Sequence, residues 1–218
     1  MKNEWVKKLL FPRRCVFCGC LLKEGEEPLC AACAEEFEKL RVLRPGERNA
    51  FIDGGVSVAQ YDGVVRRGMH RFKFQGKRRA AAMMARGMAE ALKNQPWDFD
   101  VITWVPVHYS TLWKRGYDQA KELALGVAAE TDKPCFALLK KIRKTKPMYR
   151  LTAAQRRANV LGAFRARCRQ GELQGLRVLV VDDTFTTGAT VEECARMLKM
   201  AGAEKILYAT FAKTVKRA

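Results

Sequence analysis

Residues Val178–Thr190 read Val-Leu-Val-Val-Asp-Asp-Thr-Phe-Thr-Thr-Gly-Ala-Thr, and they restrict the chain more than any other stretch. Four successive apolar residues, three of them β-branched, make the kind of strand that is buried on both faces inside a parallel sheet. Two carboxylates, Asp182 and Asp183, follow. Then Thr186-Thr187-Gly188-Ala189-Thr190 leads into a run with helical apolar spacing. A strand that turns directly onto a helix N-terminus gathers unpaired N–H groups and hydroxyls around one point, where the helix dipole favours negative charge. Gly188 lacks a Cβ, so a phosphate can approach the backbone there. The two carboxylates repel a phosphate but suit what lies beside it: sugar hydroxyls, which donate hydrogen bonds to them, or a bridging Mg²⁺. The segment is therefore read as a cradle for a phosphorylated sugar.

The same 13 residues resemble the phosphoribosyl-pyrophosphate (PRPP) motif of type I phosphoribosyltransferases: an apolar strand, two acids and a loop ending Thr-Gly-x-Thr. Thr184 departs from that pattern, which has an apolar residue there. Two other readings stand beside it. One is a plain buried strand with an acidic turn and a threonine-capped helix. The other is a receiver-type acidic pocket. Such pockets place their acids near the start of a domain, whereas only about two elements follow this pair.

The chain has 218 residues, 48% of them hydrophobic and 29% charged. That is enough for one α/β domain with a small appendage, and it excludes global disorder. No apolar run is long enough to cross a membrane, and the apolar part of the basic N-terminus is too short for a secretory signal. The cytoplasm is the expected compartment. The net charge is +18, and its placement is uneven. Eight Lys/Arg and no acid lie between Asp62 and Glu90, and twelve with no acid between Asp132 and Glu172. These windows hold 20 of the 41 basic residues; the other 21 face 23 acids, so the rest of the chain is nearly neutral. Concentrated positive charge points to phosphate-rich substrates or nucleic acid. A solvated basic face is the alternative.

Cys15, Cys18, Cys30 and Cys33 form C-x2-C-x11-C-x2-C. Each pair lets two thiolates converge on one tetrahedral ion, which predicts a structural Zn²⁺ with no open catalytic position. Two disulfides are the alternative, and reducing compartments disfavour them. Cys20 is a fifth thiol that competes for assignment, with Cys18 preferred because it keeps the pairs symmetric. Cys194 falls on a helix as a small buried residue.

Coarse periodicity predicts the remaining elements. A short helix spans Ala34–Leu43, and the linker Pro45–Asn49 separates a zinc-binding module (1–45) from the main domain (50–218). Val56–Tyr61 is an edge strand. A basic helix runs from Gly63 to about Phe74 and is broken at Gly76; a second covers 78–93 with an inward methionine stripe. Val101–Val107 is a buried strand ending at Pro106, and His108–Ser110 a loop. One long helix covers Thr111–Glu130, with Leu112, Ala120, Leu123, Ala124 and Val127 inward. The helix after Gly188 ends at Gly202, and Lys205–Phe211 is the last strand. Ligands of open α/β sheets sit at the carboxyl ends of strands, so the ends of Val101–Val107 and Val178–Val181 are expected to face one crevice. Lys114 and Arg115, and separately Lys73 and Lys77, are cations within reach of a diphosphate there.

Val105-Pro106-Val107-His108 followed by Arg115-Gly116-Tyr117-Asp118-Gln119-Ala120 resembles the Val-Pro-Val-Pro … Arg-Gly-Phe-Asn-Gln-Ala signature of the ComF family of bacterial competence proteins. Lys73-Phe74-Gln75-Gly76, the four cysteines, Arg143–Pro147, Arg156–Phe164 and the PRPP motif follow the same family order along essentially the whole chain. His108 replaces a common proline, Asp118 a common asparagine and Met148 a common glutamine. The resemblance, of ComFC type, implies a type I phosphoribosyltransferase-like parallel sheet with helices on both faces, plus a small zinc-ribbon-like module. It also implies PRPP with Mg²⁺ as ligand: Thr186, Thr187, Gly188, Ala189 and Thr190 on the 5′-phosphate, Asp182 and Asp183 on the ribose hydroxyls, and Val107, His108, Lys114, Arg115 and Lys73 on the pyrophosphate. Transfer of phosphoribosyl to an unknown acceptor would make Asp182 and Asp183 catalytic. A role in DNA uptake and a helicase-like partner follow from the same resemblance. Residues 143–158 are the candidate for a mobile loop closing over substrate. The alternative is a protein without turnover that binds single-stranded DNA through Arg143, Lys144, Lys146 and Arg150.

Overall fold

The structure, a computed structural model, describes residues 12–42, 46, 48–75, 78–146 and 151–215. In chain order the elements are α1 (Ala31–Leu40), β1 (Gly54–Gln60), α2 (Gly63–Gln75), α3 (Arg78–Lys93), β2 (Val101–Trp104), α4 (Tyr109–Arg115), α5 (Gln119–Thr131), β3 (Leu139–Lys141), α6 (Ala153–Val160), β4 (Phe164–Ala166), β5 (Arg177–Phe185), α7 (Ala189–Met200) and β6 (Lys205–Lys213). Four strands form a parallel sheet in the order β1-β6-β5-β2; β3 and β4 form a separate antiparallel pair.

The continuous apolar run of β5 has the two-sided burial that a central parallel strand requires. Leu179 and Val181 enter the core shared with α3, α5, Val56 and Val58. Val178 and Val180 face the other way, into a core with Val191, Cys194, Ala195 and Leu198 of α7 and with Leu139 and Phe164 of the β3–β4 pair. The sheet thus has helices on both faces, the α/β architecture that the resemblance led one to expect. β1 lies at the sheet's edge as expected, yet six of its seven residues are buried, because Val42 donates to the Val58 carbonyl and Arg41 bridges Ala59.

The cysteine module is packed against the sheet. Phe17 is fully buried, with its ring 5.6 Å from Phe37 and 6.3 Å from Phe211 of β6. A Cβ on Gly68 of α2 would meet the Phe17 ring at 2.1 Å, so the close approach of helix and module depends on that glycine. The division of the chain at 45–50 falls largely outside the described residues.

Three expectations change. The predicted helix Thr111–Glu130 is two helices. Gly116, at φ +78°, closes α4 with its N–H on the Leu112 carbonyl, and Asp118 starts α5 by accepting from Lys121 N–H. A glycine C-cap followed by an acidic N-cap is a legible break that apolar spacing overrode. Leu112 is consequently 41% exposed instead of inward. β2 ends at Trp104, short of Pro106. β5, in turn, runs on through both aspartates to Phe185, pairing Asp182 with Thr210 and Thr184 with Ala212. The acids therefore belong to the end of a strand, and their directions are set by its pleat.

Candidate functional site

The register Trp104–Val181 brings the ends of β2 and β5 side by side, and Val105 N–H continues the ladder to the Val181 carbonyl at 3.0 Å. The loop carrying Val107 and His108 and the segment Asp182–Thr190 thus leave the sheet at the same edge, as the crevice argument expects. α7 begins at Ala189 behind Gly188, which adopts φ +73° and offers no side-chain cap. Its N-terminus thus has no side-chain cap, with Thr186, Thr187 and Thr190 next to it in the chain. The loop is held closely from below: a Cβ on Gly188 would lie 2.6 Å from the Phe185 ring, which stacks on Tyr208 at 4.5 Å. The Thr184 hydroxyl, at the position that departs from the motif, is buried with no partner.

The carboxylates sit in a net of opposed charges. Lys73, from the end of α2, reaches Asp183 at 3.0 Å, and that charge is the largest influence raising the lysine's pKa. Burial pushes Asp182 well above the ordinary carboxylate value, and the Asp183 charge pushes it further. The Asp183 N–H, donated to Asp182 Oδ1 at 2.8 Å, and Lys73 oppose this only in part. Two adjacent carboxylates with one paired lysine form a site that gains by taking up hydroxyl donors or a cation.

Two further members were given no site role from sequence, though Asp118 stands in the family signature. Asp118 is buried, accepts from Val107 N–H at 3.2 Å, and is raised by burial and by Asp183. It holds the β2 loop at the acidic edge. Its cue was the N-cap position before α5. Lys141, in the β3–β4 pair, donates to Thr145 Oγ1 at 2.9 Å and lies 5.1 Å from the Phe164 ring. Burial depresses its pKa, while Asp182 and Asp118 pull it up. A three-residue strand gave no periodic signal.

The Arg115–Gln119 segment knits these parts together. Tyr117 donates its hydroxyl to the Phe72 carbonyl. Buried Gln119 donates to the Lys73 carbonyl at 3.3 Å and accepts from Arg115 at 3.2 Å. One short stretch therefore positions Lys73, Arg115 and the Val107 loop. Lys114 is exposed on α4.

Arg143 donates to the carbonyls of Asn159 and Leu161, and Lys146 and Asn159 exchange two hydrogen bonds, at 3.0 and 2.9 Å. These contacts close the ends of the expected loop. Within it α6 forms behind a complete capping box, Thr152 with Gln155, a pattern present in the sequence. Lys144 is exposed. Arg150, with Pro147–Tyr149, lies outside the described residues, as does Lys77.

The thiols of Cys15, Cys18, Cys20 and Cys30 lie within 4.8 Å of one another. Four sulfurs on one tetrahedral zinc stand about 3.8 Å apart, and Cys18 and Cys30 are separated by 3.8 Å. The donor set therefore fits such an ion. Cys20 enters this group because the turn folds it back, Cys15 N–H bonding the Cys20 carbonyl. Cys33, expected as the fourth ligand, stands in the first turn of α1 and is not among these four; burial raises its pKa most, and the thiols of Cys30, Cys18 and Cys15 raise it further. Burial pushes Cys15 up, but the N–H groups of Cys18, Cys30 and Phe17 outweigh it and hold that thiol at about 6. Cys20 is pushed up to about 12 by its hydrogen bonds with Cys18 and Cys30. Thiols this close cannot all ionise without a cation among them.

Residues 79–217 match the family model described as phosphoribosyl transferase domain. The chain is 31% identical over 163 residues to the DNA utilization protein YhgH of Salmonella typhi, covering 69% of this chain and 68% of that one. It is 27% identical over 196 residues to Competence protein F of Haemophilus influenzae, 86% of each chain. A glutamine PRPP amidotransferase from B. subtilis, solved with ADP and GMP, superposes with a TM-score of 0.44 at 22% identity over 64% of this chain; the match spans 30% of that larger protein. With the strand-borne acids, the glycine-capped helix and the matched family model in place, the chain belongs to the phosphoribosyl transferase domain family, among the relatives of Competence protein F and YhgH.

Proposed function

We propose that this protein binds PRPP at the carboxyl edge of its sheet and acts in DNA uptake; its relatives are named for competence and for DNA utilization. The observation that carries the reading is the junction of β5 and α7: two carboxylates, one already paired with Lys73, directly before a helix opened by left-handed Gly188. Thr186, Thr187, Gly188, Ala189 and Thr190 receive the 5′-phosphate, whose charge the helix terminus favours. Asp182 and Asp183 accept hydrogen bonds from the ribose hydroxyls. Val107, His108, Lys114 and Arg115 meet the pyrophosphate, and Lys73 lies between the two ends. Should an acceptor displace pyrophosphate at the anomeric carbon, positive charge builds on the sugar, and Asp182 and Asp183 face that charge. Mg²⁺ carried in with PRPP would neutralise the leaving group and fits the carboxylate donors. A structural Zn²⁺ held by the N-terminal thiols would fix the turns of the module whose Phe17 ring packs on β6 and α2. A cytoplasmic location and a helicase-like partner complete this reading.

Calorimetry with PRPP and Mg²⁺ tests it. One site is expected, lost in the Asp182→Asn/Asp183→Asn double variant. Wild-type affinity in that variant would reject the residue assignment. Labelled PRPP with candidate acceptors separates turnover from binding.

The two acid-free windows favour a second activity that can coexist with the first: binding of single-stranded DNA through Arg143, Lys144, Lys146 and Arg150. Its affinity would fall steeply with salt.

A further inference from the structure

Helix α4 exposes aromatic surface that the fold does not use. None of its seven residues is buried. Trp113 is 89% exposed, Tyr109 71% and Leu112 41%. The other large exposed apolar side chains among the described residues, such as Leu21, Phe136 and Met200, stand singly along the chain. Tyr109 and Trp113 are four residues apart, so they project from one side of the helix about 6 Å apart along its axis. The Tyr109 ring also lies against the His108 ring at 4.3 Å. A free tryptophan of this kind marks a surface that works when covered.

The surroundings decide what covers it. Lys114 and Arg115 follow directly, and the chain carries no acid between Asp100 and Asp118. Protein-binding faces bring an apolar centre and a mixed polar rim. Here two exposed rings are followed in the chain by two cations, with no acid on the helix, which is the chemistry that stacks unpaired bases and neutralises the phosphates linking them. A duplex offers no free base faces to such rings.

We propose that Tyr109 and Trp113 form a base-stacking platform for single-stranded nucleic acid, with Lys114 as its phosphate contact. The platform deepens the single-strand reading, which until this point rests on charge alone; it does not depend on PRPP binding. Four residues separate the end of β2 from the start of α4, so a strand laid across α4 leaves the sheet edge by the mouth of the acidic cradle.

Fluorescence anisotropy of the zinc-loaded full chain with a short labelled oligothymidine tests the proposal. Trp113→Ala is expected to weaken binding about 5- to 150-fold, the range for losing one stacked base. Trp113→Phe, which keeps a ring, restores most of it. The slope of log affinity against log salt stays the same in Trp113→Ala and falls by about one in Lys114→Met, because only the latter removes a charge. Wild-type affinity in the Tyr109→Ala/Trp113→Ala variant overturns the platform, as does equal affinity for a duplex of the same length. If neutralising Arg143, Lys144 and Lys146 abolishes binding while the aromatic variants do not, the charge reading survives and the platform is wrong. If wild type shows no single-strand affinity, both fail. Self-association that Trp113→Ala abolishes, with oligonucleotide affinity unchanged, would reassign the face to a second copy of the chain.

Discussion

Replacing Gly188 by alanine probes the phosphate cradle and the fold together. Two costs are separable. The backbone there has φ +73°, a conformation that costs an L-residue about 1–2 kcal/mol. The new methyl would also stand 2.6, 3.2 and 3.3 Å from three carbons of the Phe185 ring. That ring cannot retreat freely, being 3% exposed and stacked at 4.5 Å and 16° on Tyr208. Overpacking of this kind costs about 1–3 kcal/mol. The expected loss is about 2–5 kcal/mol, which for a chain of this size lowers Tm by about 4–20 °C. Gly116→Ala is the control: φ is +78° there, but nothing lies within 4 Å of the added carbon. Only the backbone cost applies, about 1–2 kcal/mol and about 2–8 °C. Thermal unfolding followed by circular dichroism measures both. Gly188→Ala should lose more than Gly116→Ala, and Phe185→Leu should recover part of the difference. Equal losses in the two glycine variants would refute the steric argument. Unchanged PRPP binding in Gly188→Ala would separate the cradle from the phosphate.

Asp182→Asn should stabilise the ligand-free protein in a way that grows with pH. The folded-state pKa of Asp182 is raised above its ordinary 3.8, so the proton it keeps favours the fold below that value, and the benefit is lost as pH rises through the folded pKa. The Tm advantage of Asp182→Asn over wild type should therefore be larger at pH 8 than at pH 4; a constant or shrinking advantage would contradict the burial of that charge. Five thiols compete for four places in the cysteine cluster. Cys20→Ser and Cys33→Ser should each retain one zinc by atomic spectroscopy while the double variant loses it, and loss in either single variant would identify a unique fourth ligand.

Much of the site was legible because its chemistry is contiguous. The β5–α7 junction needs a buried strand, two acids and a glycine within 13 residues, and local rules read each of them. The alternation of Val178 and Val180 with Leu179 and Val181 into two cores followed from the same run. Where two local signals conflict, apolar spacing misleads: it runs one helix through Gly116–Asp118, where a glycine C-cap and an acidic N-cap divide two, and a basic loop pattern hides the capping box of α6.

The residues themselves thus determined which chemistries the chain carries and in what order: thiol pairs, basic windows, and acids beside a phosphate loop. Only the tertiary structure decided which of them meet. Lys73 and Asp183 are 110 positions apart, yet they touch because α2 ends over the carboxyl edge of β5. Asp118 holds Val107, and Gln119 the Lys73 carbonyl, because the start of α5 folds back over the loop after β2 and against the end of α2. Periodicity reports the burial of a residue within its own element, whereas strand order, and hence the pairing of loops at the sheet edge, is set by how whole faces pack. The exposure of Trp113 arises the same way: apolar spacing merged its helix with the next, and only the assembled fold leaves its ring uncovered among the described residues.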